Sequence, residues 1–238
     1  MTIMGSKRKY APFIVPILQK CINENNISTF IDCCCGGCNI IKNITCDRRI
    51  AIDKNPYLIA LYLEMQKPHW IFPPYPLRED WDKCKNGLEE KDWYVGLVQT
   101  FTSNFAGGFA RGYNKLESVY NGRCNTMKKD LPLIKDIDFI CSDFSKILDY
   151  ENCVIYIDPP YLNTKRYDID KNFNYEKFWD CVREVSQKNW VFVSEQVAPE
   201  DFISVWTLDT ERALYSSRTN CTENLFIFKN GLAADFML

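Results

Sequence analysis

An α/β fold with a mostly parallel sheet and helices on both faces is predicted for this chain of 238 residues by three observations. Short apolar runs recur, each ending in a polar or Gly/Pro-rich turn, as buried parallel strands do. Helical apolar spacing lies between those runs. Acidic residues close four of them, at the sheet edge where open α/β folds bind ligands.

The elements follow in chain order. Ile14, Ile17, Leu18 and Ile22 share a face and predict a first helix. Thr29-Phe30-Ile31-Asp32 predicts a strand that runs into a Cys/Gly stretch, and Arg49-Ile50-Ala51-Ile52 predicts one ending at Asp53. Leu58, Leu61, Tyr62 and Met65 predict a helix after Asn55-Pro56. Ile137 to Cys141 ends at Ser142-Asp143, and Cys153 to Ile157 ends at Asp158-Pro159-Pro160. Phe178, Cys181, Val182 and Val185 predict a helix before the strand Trp190 to Val193, which ends at Ser194-Glu195. Pro199-Glu200-Asp201 reads as a further helix start, with Pro early and acids in the first turn. Leu225 to Phe228 is a last strand, paired with one around Trp206 to Leu214.

Composition bounds the class. A 46% hydrophobic, 25% charged chain excludes intrinsic disorder and collagen-like repeats. A net charge of −2 excludes a generally basic coat protein, though not a local basic patch. Twelve cysteines stand against one histidine, His69, which reads as surface or structural. A chain with this much core needs no disulfide framework, and the consecutive Cys33, Cys34 and Cys35 are poorly placed for one. Cys35 and Cys38 form a C-x-x-C, but a closed zinc site needs a second pair and the other cysteines are scattered. Small buried apolar thiols are the expectation, with no metal. No secretory signal is evident, since Pro12 and Pro16 interrupt the apolar patch after Lys7-Arg8-Lys9. No run approaches the roughly 18–20 apolar residues of a membrane span. A cytoplasmic, reducing setting in a bacterial host, or for a phage-encoded protein, is expected, with no membrane partner.

Residues 67–133 are too long for an ordinary connection and predict an inserted subdomain. Its charge changes sign. Glu79 to Asp92 holds six acids and three lysines, net −3; Arg111 to Lys135 holds six bases and two acids, net +4. Phe105, Phe109, Tyr113 and Tyr120 interleave the basic half. That combination suits a surface that tracks phosphates and stacks bases, with Arg111, Lys115, Arg123 and Lys128 as candidate DNA contacts.

The sharpest motif is Asp158-Pro159-Pro160-Tyr161, directly after a very apolar run. Two prolines fix the backbone and remove two donors. The Asp158 carboxylate and the Pro159 carbonyl are then available to accept both hydrogens of one planar amino group, and Tyr161 offers a ring face to a planar base. Asp-Pro-Pro-Tyr resembles the catalytic motif of amino-methyltransferases that use S-adenosylmethionine (SAM). Phe30-Ile31-Asp32-Cys33-Cys34-Cys35-Gly36-Gly37 resembles the SAM-binding loop of the Dam-type (D12 class, alpha-group) DNA adenine-N6 methyltransferases. Met4-Gly5-Ser6-Lys7 is similar to that family's N-terminal Gly-x-Lys segment, Asp143-Phe144 to the pair after its third strand, and Thr164 with Tyr167 to its Thr-x-x-Tyr. Three departures stand out: Cys34 and Ile3 occupy positions where the family carries aromatics, and Cys33 one where it usually carries Pro or an apolar residue.

The resemblance implies a seven-stranded Rossmann-like SAM-dependent methyltransferase fold. Residues 1–66 and 134–238 would form the catalytic domain, and 67–133 the target-recognition subdomain. It implies methyl transfer from SAM to adenine N6 in double-stranded DNA, with the base flipped out of the duplex. Asp158, Pro159 and Tyr161 are the implied catalytic residues. Ile3, Lys7, Asp32, Cys34, Gly36, Gly37, Asp53, Asp143, Phe144 and Asp158 are the implied cofactor site. Two roles also follow from the residues themselves: Gly36 and Gly37 permit close backbone approach to a ligand, and Asp53 can accept ribose hydroxyls. A monomer in solution is expected, with two copies on a palindromic site as the variant. The rival readings are cytosine N4 or another amino substrate, and a SAM- or DNA-binding protein without activity.

Overall fold

The computed structural model describes residues 6–101, 113–161, 173–214 and 217–237; the side chains of 113–116, 210–214, 217–221 and 236–237 lie outside that description. Seven strands form one sheet among the described residues: β1 (Thr29–Cys33), β2 (Arg48–Asp53), β3 (Ile137–Cys141), β4 (Cys153–Ile157), β5 (Trp190–Glu195), β6 (Phe202–Leu214) and β7 (Ser217–Phe228). Their order is β3-β2-β1-β4-β5-β7-β6. The first five are parallel, and β7 runs antiparallel to both β5 and β6. This is the Rossmann-like methyltransferase architecture expected from the sequence.

Side-chain alternation along the strands builds two cores, one on each face. Phe30, Ala51, Val154, Tyr156 and Phe192 face α1 (Ala11–Glu24) and α2 (Pro56–Met65). Ile31, Ile50, Ile52, Ile155, Val191 and Val193 face α6 (Tyr175–Val185). The elements between these, α3 (Arg78–Lys85), α4 (Asp92–Phe101) and α5 (Tyr113–Ile134), follow α2 in the chain, and α7 (Leu232–Met237) ends it. Asn55 caps α2 by accepting from the amides of Tyr57 (3.1 Å) and Leu58 (3.3 Å), and Pro56 begins the helix, where its missing donor costs nothing. Asn174 caps α6 in the same way through Lys177 N–H at 3.0 Å.

Two local expectations turn on proline, one met and one corrected. The helix expected over Ile14, Ile17, Leu18 and Ile22 is α1, which has Pro12 in its first turn and runs through Pro16 at the cost of a single intrahelical bond. No helix starts at Pro199; the chain turns and enters β6 at Phe202. The residues after Pro199 include Phe202, Ile203, Val205 and Trp206, aromatic or β-branched and suited to a strand, and Asp201 is held by the guanidinium of Arg183, at 2.6 and 3.1 Å.

Residues 67–101 and α5 are joined closely to the rest. Trp81, Val95, Leu97, Val98, Tyr120 and Met127 belong to the same hydrophobic cluster as α1 and α2. Gly96 of α4 lies so close to α2 that a Cβ there would be 2.1 Å from the Tyr57 carbonyl oxygen. The end of α5 is tied down by Lys42 to Asp130 (2.9 Å) and by the Gln66 amide to the carbonyl of Ile134 (2.9 Å). Among the described residues, no helix is long and apolar enough to cross a membrane.

Candidate active site

The carboxyl ends of β1, β2, β4 and β5 converge on one edge, and the charged side chains gather there. Lys7 arrives from the amino-terminal segment in a short 3-10 turn, Lys7–Lys9, capped by Ser6. Ser6 Oγ in turn accepts from the Asn39 amide at 3.0 Å, which fastens this segment to the loop after β1. Lys7 Nζ lies 2.7 Å from Asp158 Oδ1 and 3.4 Å from Glu223 Oε1, and 4.3 Å from the centre of the Tyr161 ring. The Tyr161 hydroxyl donates to Glu223 Oε1. Asp158 N–H donates to the Cys33 carbonyl at 3.1 Å, which joins the Asp158–Tyr161 tetrapeptide to the end of β1. The Tyr175 hydroxyl donates to the Pro160 carbonyl.

Burial sets the electrostatics here. It raises Asp158 to about 6, against the lowering effect of Lys7 and with a further push from Glu223. Burial also opposes the charge on Lys7, but Asp158 and Glu223 outweigh it and hold the ammonium above its ordinary value. Glu195, the last residue of β5, is pushed to about 8 by burial, moderated by the Gln196 N–H and reinforced by Asp158. Neither Glu195 nor Glu223 figures among the residues expected from the sequence. Both lie on strands: Glu195 closes the apolar run of β5, and Glu223 stands just before the apolar run Leu225 to Phe228 of β7.

The loop after β1 is tightly built. Tyr62 OH donates to the Gly36 carbonyl at 2.8 Å, and Cys35 N–H to the Ile52 carbonyl at 3.0 Å. Gly36 has φ +45°, a conformation that glycine adopts freely; Cys34 (+60°) and Cys38 (+52°) adopt the same left-handed region without that freedom. Cys33, Cys35 and Cys38 are buried. The Cys35 thiol is driven well up by its hydrogen bond to Cys38 and by burial, and Cys34 by its bond to Cys33 and by burial, so neither is a ready thiolate. Among the described residues, no three His, Cys, Asp or Glu side chains are grouped to hold a metal ion.

The remaining residues expected from the sequence separate by place. Gly36 N–H donates to Asp53 Oδ2 and Asn55 N–H to Asp53 Oδ1, both at 2.9 Å. A carboxylate offers about four acceptor positions, so Asp53 keeps capacity for a further donor such as a ribose hydroxyl. Asp32 is fully buried, and its Oδ2 accepts from the Ile41 amide at 3.2 Å, which directs it to the loop's own backbone. Asp143 is exposed and caps the 3-10 turn Phe144–Asp149 through the Ser145 amide at 2.9 Å. Phe144 is half-buried against Phe173 and Phe178. Arg123 is half-buried in α5, and Lys128 is exposed with its Nζ 5.8 Å from the Phe72 ring centre. Ile3, Phe105, Phe109, Arg111, Thr164 and Tyr167 lie outside the described residues, as does the side chain of Lys115.

Residues 90–223 match the D12 class N6 adenine-specific DNA methyltransferases, more than half of the chain. The chain belongs to that family. Among curated relatives, the Type II methyltransferase M.FokI of Planomicrobium okeanokoites is 26% identical over 216 residues, covering 78% of this chain and 32% of that protein. The chain thus spans about a third of the length of the curated relative it matches. A solved structure, the rRNA methyltransferase AviRa of Streptomyces viridochromogenes, aligns over 96% of this chain and 88% of that one, with 10% identity and a TM-score of 0.43. The D12 match contains Asp158, Pro159 and Tyr161 and closes on Glu223.

Proposed function

We propose that this D12-family chain transfers a methyl group from SAM to adenine N6 in duplex DNA. The observation that carries the reading is the intact Asp158-Pro159-Pro160-Tyr161 at the end of β4, with Lys7 2.7 Å from its carboxylate. The donor set suits SAM: Lys7 would meet the carboxylate of its amino-acid end, Asp158 the ammonium, and Asp53 the ribose hydroxyls. Gly36 and Gly37 would lie along the same moiety, with Cys34 and Ile3 beside it and Asp143 and Phe144 near its adenine.

The cofactor supplies an electrophilic methyl group; the chain supplies position. A flipped adenine presents an amino group with two hydrogens. Asp158, ionised above about pH 6, accepts one of them, and the Pro159 carbonyl accepts the other. Held by acceptors outside the ring plane, the nitrogen lone pair is directed out of the ring. Tyr161 packs against the base. Most of the acceleration then comes from orientation and fixed charge rather than covalent catalysis.

Arg123 and Lys128, with Arg111 and Lys115, would contact DNA from a recognition unit spanning residues 67–133, and the chain would act in the cytoplasm as a monomer on each strand of its site. The test is incubation with tritiated SAM and unmethylated DNA, followed by nucleoside analysis. N6-methyladenine is the expected product. Label only in N4-methylcytosine, or DNA binding with no label, would overturn the reading in favour of the cytosine or binding-module alternative.

A further inference from the structure

Glu223 is the first residue of β7 beyond its pairing with β5, because Glu195, the last residue of β5, stands opposite Asn224. That register puts Glu223 at the same sheet edge as Asp158, and it is completely buried. Oε1 receives the Tyr161 hydroxyl and faces Lys7. Oε2 has no hydrogen-bond partner among the described residues. The neighbours that feel its charge are Lys7 from the amino-terminal turn, Tyr156, Asp158 and Tyr161 from β4 and its end, and Glu195 from β5. Across β6 its partner is Leu208. Among the described residues, the Lys7 ammonium is therefore shared by two carboxylates, Asp158 and Glu223. A buried carboxylate with an unmet oxygen is costly, and a strand needs no glutamate at a position that faces a core.

We propose that Glu223 is a positioning residue for methyl transfer, acting through Tyr161 and Lys7. It anchors the Tyr161 hydroxyl, which fixes the plane of the ring, and it holds Lys7 against Asp158. This rests on the methyltransferase reading above. Its second effect is electrostatic: a negative charge beside Asp158 makes that carboxylate harder to ionise.

Glu223→Gln keeps an acceptor for Tyr161 and removes the charge. It is expected to shift the acid limb of kcat/KM to lower pH and, since a misplacement of about 1 Å can cost on the order of 100-fold, to lower kcat by roughly 10- to 100-fold. Glu223→Asp keeps the charge on a shorter arm. It is expected to retain the acid limb while kcat falls, and it serves if the Gln variant does not fold. A third measurement needs neither DNA nor SAM. Titration of the 13C-labelled Asp158 carboxyl by NMR, assigned with Asp158→Asn, should show a lower midpoint in Glu223→Gln than in the wild type. An unchanged pH profile with wild-type kcat in both variants, or an unchanged Asp158 midpoint, would overturn the proposal. Absence of adenine methylation by the wild-type chain would instead overturn the reading beneath it, with the NMR titration still deciding the Glu223 coupling.

Discussion

Lys7 Nζ stands 2.7 Å from Asp158 Oδ1, and the two side chains are 8% and 19% exposed. A residue near the start of the described chain is therefore an internal counter-ion for one at the end of β4. Removing one partner of a buried pair typically costs about 3–5 kcal/mol, because the other is left uncompensated. The two halves of this pair differ, since Lys7 also has Glu223, whereas Asp158 has no second cation within ion-pair distance among the described residues.

Asp158→Ala should therefore abolish transfer with a modest loss of thermal stability, and Lys7→Met should cost more stability. Loss of a transition-state hydrogen-bond partner is worth on the order of 10²–10³ in kcat, which sets a floor for the Asp158 effect. Single-turnover assays and thermal melts of the two variants check this. Wild-type kcat/KM should fall as pH drops through about 6, where Asp158 takes a proton. In Lys7→Met that limb should move to higher pH, because the charge that lowers Asp158 is gone.

Glu195 carries a stability prediction of definite sign. Its folded value of about 8 lies above the carboxylate value of 4.5, so the native state holds a proton that the unfolded chain releases. Its contribution is fully present below about pH 4.5 and is lost as pH rises through about 8. At about 1.4 kcal/mol per pH unit, the loss amounts to a few kcal/mol. Glu195→Gln should melt higher than the wild type at pH 9, with the difference shrinking toward pH 5. Equal melting-temperature profiles for the two proteins from pH 5 to 9 would refute it.

Gly96→Ala should loosen α4 from α2. The added Cβ would stand 2.1 Å from the Tyr57 carbonyl oxygen, a backbone atom that cannot swing aside. Overpacking of this kind typically costs about 1–3 kcal/mol. Urea unfolding should show the lower midpoint, and limited proteolysis should cut the stretch around α4 faster.

Lys128→Ala should weaken DNA binding about equally for all sequences and reduce the slope of log K against log salt by about 1, as loss of one phosphate contact does. A slope that does not change would remove Lys128 from the DNA surface.

Cys34 holds φ +60°, which costs an L-residue roughly 1–2 kcal/mol. Part of the relief in Cys34→Gly is offset by the greater freedom of glycine in the unfolded chain, leaving a gain of about 1 kcal/mol, or about 2–4 °C for a chain of this size. Cys34→Val should go the other way, since a branched Cβ tolerates this conformation poorly. Melts under reducing conditions separate the two.

Strands β1 to β5 were legible because each is a short apolar run closed by an acid or a Gly/Pro turn, and Lys7, Asp158 and Tyr161 because they sit in motifs; β6 and β7 run further than their apolar cores, since their pairing continues through polar residues. Glu195 and Glu223 were harder to see, yet alternation marks them. Val191, Val193 and Glu195 lie on one face of β5, and Glu223, Leu225 and Ile227 on one face of β7, so each glutamate extends a buried row. The helix α4 was hidden by Gly96, whose presence is explained by the close approach to α2, and by Val95 and Val98, weak helix formers that are buried. Pro199 misled because the residues behind its favourable first turn, Phe202, Ile203, Val205 and Trp206, are aromatic or β-branched and favour a strand, and Arg183 claims Asp201 for another purpose.

The seam between α2 and α4 bears on how this protein could be re-engineered. A chimera made by swapping in a relative's segment from residue 67 onward would pair a foreign helix with the native Tyr57 carbonyl, where only a bare α-carbon fits. The donor's counterpart of α2 would have to travel with it. A graft cut ahead of α2 rather than at residue 67 keeps the two helices together, and such grafts are the ones to build.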